Sequence, residues 1–310
     1  MSPQAPAVRV RDLRHRYGET VALDGVSFEV PDGEIFGVLG PNGGGKTTMF
    51  RILSTLLPVD RGHVEIFGAD VAVDLGAVRR SIGVVFQSPS LDIKLTVREN
   101  MRCHGSLYGI TGRDLAARID EGLATLGLTD RADVYVETLS GGLKRRVELA
   151  KGLLSKPRML ILDEPSTGLD PGARRDLWDY ILALRSEQGT TVLVTTHLMD
   201  EAERCDRLAI LDRGRVVAID TPDAMRSRIG GDVLTIRSAD STRLQAEIEK
   251  RWGIAGSCVD GSVRLEHADA RGLVREIYEA FPDDIESIQL ARPTLEDVFI
   301  HETGHQLWND

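Results

Sequence analysis

Residues 39–48 read LGPNGGGKTT, with four glycines, one lysine and two threonines between an apolar run and a helical one. Backbone N–H groups can wrap a polyphosphate only where side chains do not hold the backbone away. Glycine removes that obstruction. The spacing fits G-x-x-x-x-G-K-[ST], with Gly40, Pro41, Asn42, Gly43, Gly44, Gly45, Lys46, Thr47 and Thr48 forming the loop and the helix start. Lys46 is placed to reach the β- and γ-phosphates, the Thr47 hydroxyl to coordinate Mg²⁺, and the helix N-terminus to add its positive end. In RMLILDEP, 158–165, Asp163 and Glu164 follow an apolar run. A carboxylate there can hold Mg²⁺ and its neighbour can polarise an attacking water, so Asp163 is assigned to the metal and Glu164 to the general base. TTVLVTTH, 190–197, delivers His197 in the same way, as a neutral donor for the γ-phosphate.

The elements that must position these groups are legible around them. EIFGVLG, RMLILDEP and TTVLVTTH are short continuous apolar runs, the pattern of strands buried on both faces. A helical stretch over about 172–187 between the last two predicts a βαβ unit, hence parallel strands whose carboxyl ends gather ligands. Upstream, Val26, Phe28 and Val30 alternate before the turn PDG, which predicts an antiparallel edge of sheet. Met49, Ile52, Leu53, Leu56 and Leu57 carry helical spacing, stopped by Pro58. Leu115, Ile119, Leu123 and Leu126 form a stripe within a helical subdomain at about 88–155. RLAILDRGRVVAI predicts a hairpin turning at Asp212 to Gly214, which closes the domain. Beyond RIGGD the texture changes to strands near 233, 262 and 285 and helices near 242, 268 and 294. We therefore expect an α/β domain over 1–224 and a small α+β accessory domain over 225–310.

Composition narrows the function. The chain has 310 residues, against a prior of about 150 per domain, which allows two domains. A net charge of −10 lacks the basic footprint of a nucleic-acid binder, and the short KRR run at 144–146 reads as a solvated helix face. Cys103, Cys205 and Cys258 are far apart and odd in number, which predicts neither a disulfide framework nor a zinc knuckle. No stretch approaches the ~18 apolar residues of a membrane span, and the amino terminus lacks the apolar segment of a secretory signal. A phosphate loop alone does not separate a kinase, a GTPase and an ATP-driven machine, but the absence of a guanine-reading N-K-x-D weakens the second.

TLSGGLKRRVELAKGLLSKPRMLILDEPSTGLDP, 138–171, strongly resembles the signature-to-Walker B segment of ATP-binding cassette (ABC) proteins, and the resemblance extends over about 8–222. It implies an ATPase domain that dimerises head to tail around two ATP. Each nucleotide then lies between the phosphate loop of one copy and Ser140, Gly141 and Gly142 of the other. The resemblance further implies that Tyr17 stacks on adenine, that Gln87 senses metal and water while facing a membrane subunit, and that Asp170 couples the two sites. ARPTLEDVFIHETG, 291–304, is similar to the tail of daunorubicin-resistance-type exporter ATPases, whose permease is a separate integral membrane polypeptide. That implies a peripheral protein on the cytoplasmic face of the membrane, exporting a drug, a lipid or another hydrophobic or polyketide-like cargo. Importer ATPases share every catalytic motif, and only the tail speaks against them; ribosomal ABC ATPases usually carry two cassettes in one chain and DNA-repair types split theirs with long coiled coils, and the sequence has neither feature.

Two residues depart from the family pattern. Leu143 stands where glutamine usually follows the signature glycines; with Ser140 as N-cap, it forfeits the reciprocal bond of a capping box, which predicts reduced, not abolished, dimer-dependent hydrolysis. Gly44 stands where alanine or serine is common, at an ordering cost of roughly 0.5–1 kcal/mol. HETGH, 301–305, satisfies H-E-x-x-H, but Gly304 is a good helix end and a poor helix interior, so no zinc site is expected.

Overall fold

The computed structural model describes residues 5–259 and 261–307, so the first four and last three residues of the two expected domains lie outside the description. Residues up to Leu198, together with Cys205–Val216, form one compact unit; Met199–Arg204 and the chain from Val217 onward form a second.

The first unit opens with β1 (Val8–Tyr17) and β2 (Thr20–Val30), paired antiparallel from Val8 opposite Val30 to Tyr17 opposite Thr20, with register shifts between Val10 and Leu13, Leu13 and Arg14, and His15 and Arg16. β3 (Ile35–Leu39) leads into α1 (Lys46–Leu53). β4 (Arg61–Ile66), β5 (Ala69–Asp70), α2 (Leu75–Ser81) and β6 (Ile82–Val85) follow. Three helices come next: α3 (Val97–Leu107), α4 (Gly112–Thr125) and α5 (Gly141–Leu153). Leu115, Ile119, Leu123 and Leu126 are buried in one core with Met101, Val147 and Trp178, as their spacing predicts. β7 (Met159–Asp163), α6 (Pro171–Gln188) and β8 (Thr191–Thr196) form the βαβ unit. β9 (Arg207–Asp212) and β10 (Arg215–Asp220) complete the ordering, with the division between the two units falling inside β10; α7 (Met199–Ala202), between β8 and β9 in the chain, belongs to the second unit.

The strands make two sheets. One is antiparallel, ordered β2-β1-β4-β5; the other is ordered β10-β9-β3-β8-β7-β6, with β6, β7, β8, β3 and β9 pairing in parallel. The antiparallel strands thus form a sheet of their own within the α/β architecture, and Phe28 of one sheet stacks on Phe36 of the other at 5.4 Å. Every residue of β3, β7 and β8 is buried, which explains the apolar runs within them. Burying Leu160, Ile161 and Leu162 stabilises the fold by roughly 1.5–3 kcal/mol each and fixes where Asp163 and Glu164 emerge.

α1 stops at Leu53, short of the expected Pro58. Thr55 adopts a left-handed φ of 63°, and the N–H groups of Leu56 and Leu57 both turn back to the Arg51 carbonyl, so the helix closes on its own carbonyls. Leu56, which the periodicity placed on the buried face, is exposed.

In the second unit, α8 (Pro222–Arg226) precedes β11 (Asp232–Ser238), α9 (Ser241–Trp252), β12 (Gly256–Val259), β13 (Ser262–His267), α10 (Ala270–Ala280), β14 (Ile285–Ala291) and α11 (Leu295–Thr303). The sheet order is β12-β13-β11-β14, and Leu234, Ile236, Val263 and Leu265 pack against Leu244, Ile248, Leu273 and Ile277 of α9 and α10. β12 has no counterpart in the sequence reading, because GSCV carries no alternation.

Candidate functional site

In the loop between β3 and α1, Gly40 and Gly45 leave no room for a side chain. A Cβ on Gly40 would sit 2.2 Å from the Leu211 carbonyl oxygen, and one on Gly45 2.5 Å from that of Ala22. Gly45 also holds φ at 105° and caps α1 without any side-chain bond, which leaves the first-turn N–H groups pointing out of the helix. Gly44 is tight as well, with a Cβ meeting the Pro41 carbonyl at 3.1 Å. Lys46 folds back over the loop and donates to the carbonyls of Gly40 and Pro41 at 2.8 and 2.9 Å. The same loop lines a cavity of about 310 Å³ that also receives Tyr17, Asn42, Gly43, Thr47, Thr48, Gln87 and Glu164. We expect Gly45→Ala to abolish measurable nucleotide binding while lowering stability by more than the 0.4–1 kcal/mol of a tolerated glycine change, roughly, because both φ and the Ala22 contact forbid it. Equilibrium nucleotide titration beside a thermal melt checks this.

Three strand tips meet at Glu164. Its carboxylate lies 3.3 Å from Lys46 Nζ, 3.0 Å from His197 Nδ1 and 3.2 Å from Gln87 Nε2, which donates to it. Thr167 adds a hydroxyl at 3.4 Å. Glu164 holds a left-handed φ of 43°, a conformation costing about 1–3 kcal/mol that is kept here by its N–H bonding both the carbonyl and the hydroxyl of Thr195 at 3.1 Å. The Thr195 hydroxyl in turn donates to Asp163 Oδ1 at 2.5 Å.

Burial and pairing act against each other in this cluster. Burial pulls the Lys46 ammonium below its ordinary value, opposed by the Glu164 charge. Burial pushes Asp163 up, opposed by the Thr195 hydrogen bond. Burial also pushes Glu164 up, but the His197 hydrogen bond and the Lys46 charge outweigh it and hold the carboxyl below the usual range. Glu164 is therefore an ionised carboxylate at neutral pH, suited to accepting a proton once its donors are drawn elsewhere.

Of the remaining residues named from sequence, Ser140, Gly141, Gly142 and Asp170 do not line this cavity. Ser140 is exposed and caps α5 by accepting from the Leu143 N–H at 3.3 Å, while Leu143 packs its side chain, partly buried, on the core. Asp170 is exposed and caps α6 by accepting from Ala173 at 2.9 Å. Gly142 joins the two helix starts, since a Cβ there would lie 2.8 Å from the Ala173 Cβ. Gly141 is exposed beside it. Tyr17 is half exposed, with its ring edge-on to His15 at 4.8 Å.

Two parts of the sequence reading need correction or completion. The KRR run is not a solvated face: Arg145 is buried and donates to the Phe86 and Gln87 carbonyls at 2.6 and 2.8 Å, and Arg146 pairs with Asp176. Thr195, which ties Asp163 to the Glu164 backbone, is a functional residue that the sequence marks only by the polar pair TT immediately before His197. At the chain's end α11 closes on Gly304 at φ 77°, which takes His305 off the helix that carries His301. The two histidines of HETGH do not share a helical face. No disulfide joins the three cysteines, and among the described residues no helix is long and apolar enough to cross a membrane.

Comparison with known proteins agrees with this geometry. The ABC transporter family model matches residues 23–167. The daunorubicin resistance ATP-binding protein DrrA3 of Streptomyces coeruleorubidus is 40% identical over 306 residues, 96% of this chain and 96% of its own length. The Nod factor export ATP-binding protein I of Bradyrhizobium diazoefficiens is 37% identical over 312 residues, 97% of each chain. Among solved structures, CbiO1 of Clostridium perfringens, part of an ABC transporter complex, superposes with a TM-score of 0.66 at 27% identity, over 80% of this chain and 96% of its own. A dimeric, post-hydrolysis ATP-binding cassette, MJ0796 with ADP and Pi, gives 0.63 at 29% identity over 69% and 98%. The phosphate loop, the carboxylates at the tip of β7 and near-full-length relatives converge on one conclusion: the chain belongs to the ABC family, as an ATP-binding, ATP-hydrolysing subunit of a transporter.

Proposed function

We propose that the protein is the ATPase subunit of an exporter, in which two copies close head to tail on two Mg-ATP and drive a separate integral membrane permease from the cytoplasmic face. The single observation that carries the mechanism is the Glu164 carboxylate held by Lys46, His197 and Gln87 within 3.0–3.3 Å. The terminal oxygens of a triphosphate in the loop compete for the Lys46 and His197 donors, which frees Glu164 to take a proton from water. The water oxygen then attacks the γ-phosphorus, the bond to the bridging oxygen breaks, and ADP and phosphate leave. Thr47, Gln87 and Asp163 supply the oxygen donors that suit Mg²⁺, and Asp163 keeps one oxygen beyond the Thr195 bond for it. The metal, when bound, neutralises charge on the phosphates.

Tyr17 borders the loop cavity where a purine would stack. Ser140 and Gly141 sit exposed and Gly142 half-buried at the start of α5, placed to cap the γ-phosphate of a second copy, with Asp170 beside them at the start of α6. We assign 1–224 to this cassette and 225–310 to an accessory domain that contributes dimer contacts or regulation. Export is supported by relatives named for daunorubicin resistance and Nod factor export, and a hydrophobic, lipid-like or polyketide-like cargo fits those names. Affinity purification from detergent-solubilised membranes tests the reading: an integral membrane polypeptide should copurify, and candidate cargoes should stimulate ATP turnover. Recovery with ribosomes or DNA instead would contradict it.

A further inference from the structure

α5 carries a stripe of three buried charges that the reaction as derived above does not use. Arg145, Glu148 and Lys151, spaced by three residues on one helical face, are only 4, 0 and 6% exposed. All three are directed at the segment that follows β6. Arg145 forks onto two successive carbonyls, those of Phe86 and Gln87. Glu148 accepts from the Ser90 N–H at 3.0 Å and from its hydroxyl. Lys151 donates to the Ser90 carbonyl at 2.7 Å and to Glu148 at 3.1 Å. Fully buried charges are costly unless every donor and acceptor is met, and here each charge is met by the backbone or side chains of 86–90.

We propose that Arg145, Glu148 and Lys151 are positioning residues that weld segment 86–90 to α5, so that the Gln87 amide and the Ser140 end of the helix move as one body. The connection runs from α5 through the Arg145 fork to the Gln87 backbone, and from the Gln87 Nε2 to the Glu164 carboxylate at 3.2 Å. Displacement of α5 is thereby delivered to the proton acceptor instead of being absorbed in a loop. A planar guanidinium fixes two carbonyls at once, which a lysine ammonium on one flexible stem does not. The inference rests on the proposed roles of Gln87 and of the α5 start.

The test is steady-state ATP hydrolysis by the purified full-length chain, with thermal melts, for Arg145→Ala, Arg145→Lys, Gln87→Ala and the double variants. Arg145→Ala should lower kcat on the order of tenfold to a hundredfold with KM for ATP within about threefold, and Arg145→Lys should recover part of the loss. Combined with Gln87→Ala, neither Arg145 change should slow the enzyme further, because both act through the same amide. A wild-type kcat in both Arg145 variants, or losses that multiply with Gln87→Ala, would overturn the proposal. Should Arg145→Ala fail to fold, the lysine variant carries the same comparison. Gln87→Ala at the full rate would remove the role given to Gln87 and this inference with it, whereas a slow Gln87→Ala beside fully active Arg145 variants removes the inference alone.

Discussion

Glu164→Gln should bind ATP as the parent does while turning it over about 10²–10⁴-fold more slowly. The substitution keeps the shape of the side chain and an oxygen to accept from Gln87 and Thr167, so the loop cavity is preserved. It removes the only property that hydrolysis needs from this position, a carboxylate that can take a proton. It also removes the negative charge that competes with phosphate for Lys46 and His197, so the nucleotide should be held at least as well. With hydrolysis blocked, the variant should accumulate as a nucleotide-bound dimer. Single-turnover kinetics with size-exclusion chromatography in Mg-ATP reads both outcomes; a monomeric and fully active variant would refute the assignment of Glu164.

Lys46→Ala should fail earlier, at binding. Its ammonium bonds the Gly40 and Pro41 carbonyls as well as Glu164, so the alanine loses the phosphate charge and the brace that shapes the loop. Removing a preorganised cation of this kind costs on the order of 10²–10³ in kcat/KM. Glu164 and Asp163 also lose a buried counter-charge, and breaking a buried pair costs about 3–5 kcal/mol at most sites. The loss here should lie toward the low end, because His197 and Gln87 still hold Glu164. Nucleotide titration and a melting curve separate the two effects: weak binding together with a lowered Tm is the expected pair, in contrast to Glu164→Gln, which keeps its nucleotide.

Much of this site is legible in the sequence, for a physical reason. β3, β7 and β8 are buried on both faces, so each carries an apolar run, and Asp163, Glu164 and His197 stand where the runs of β7 and β8 give way to polar residues. Parallel pairing then requires those ends to lie on one side. The glycine pattern was readable because only glycine tolerates the Leu211 and Ala22 carbonyls at the positions of Gly40 and Gly45. Arg145 was misread for the complementary reason. Its partners are backbone carbonyls 59 and 58 residues away, and a backbone acceptor leaves no mark in residue types. The end of α1 at Leu53 was hidden likewise, because Thr55 takes a left-handed conformation that its residue type does not advertise. Thr195 looked like any strand threonine, and only its hydroxyl's contact with Asp163 shows its use.

The account depends on one triphosphate being gripped by the strand tips of one copy and closed over by α5 of another. The most direct measurement is the structure of Glu164→Gln with Mg-ATP. The γ-phosphate should lie within hydrogen-bond reach of Lys46 and His197 of one copy and of Ser140 to Gly142 of the other. A nucleotide seated away from Lys46, or an ATP-bound dimer in which both Ser140 residues face solvent, would contradict it.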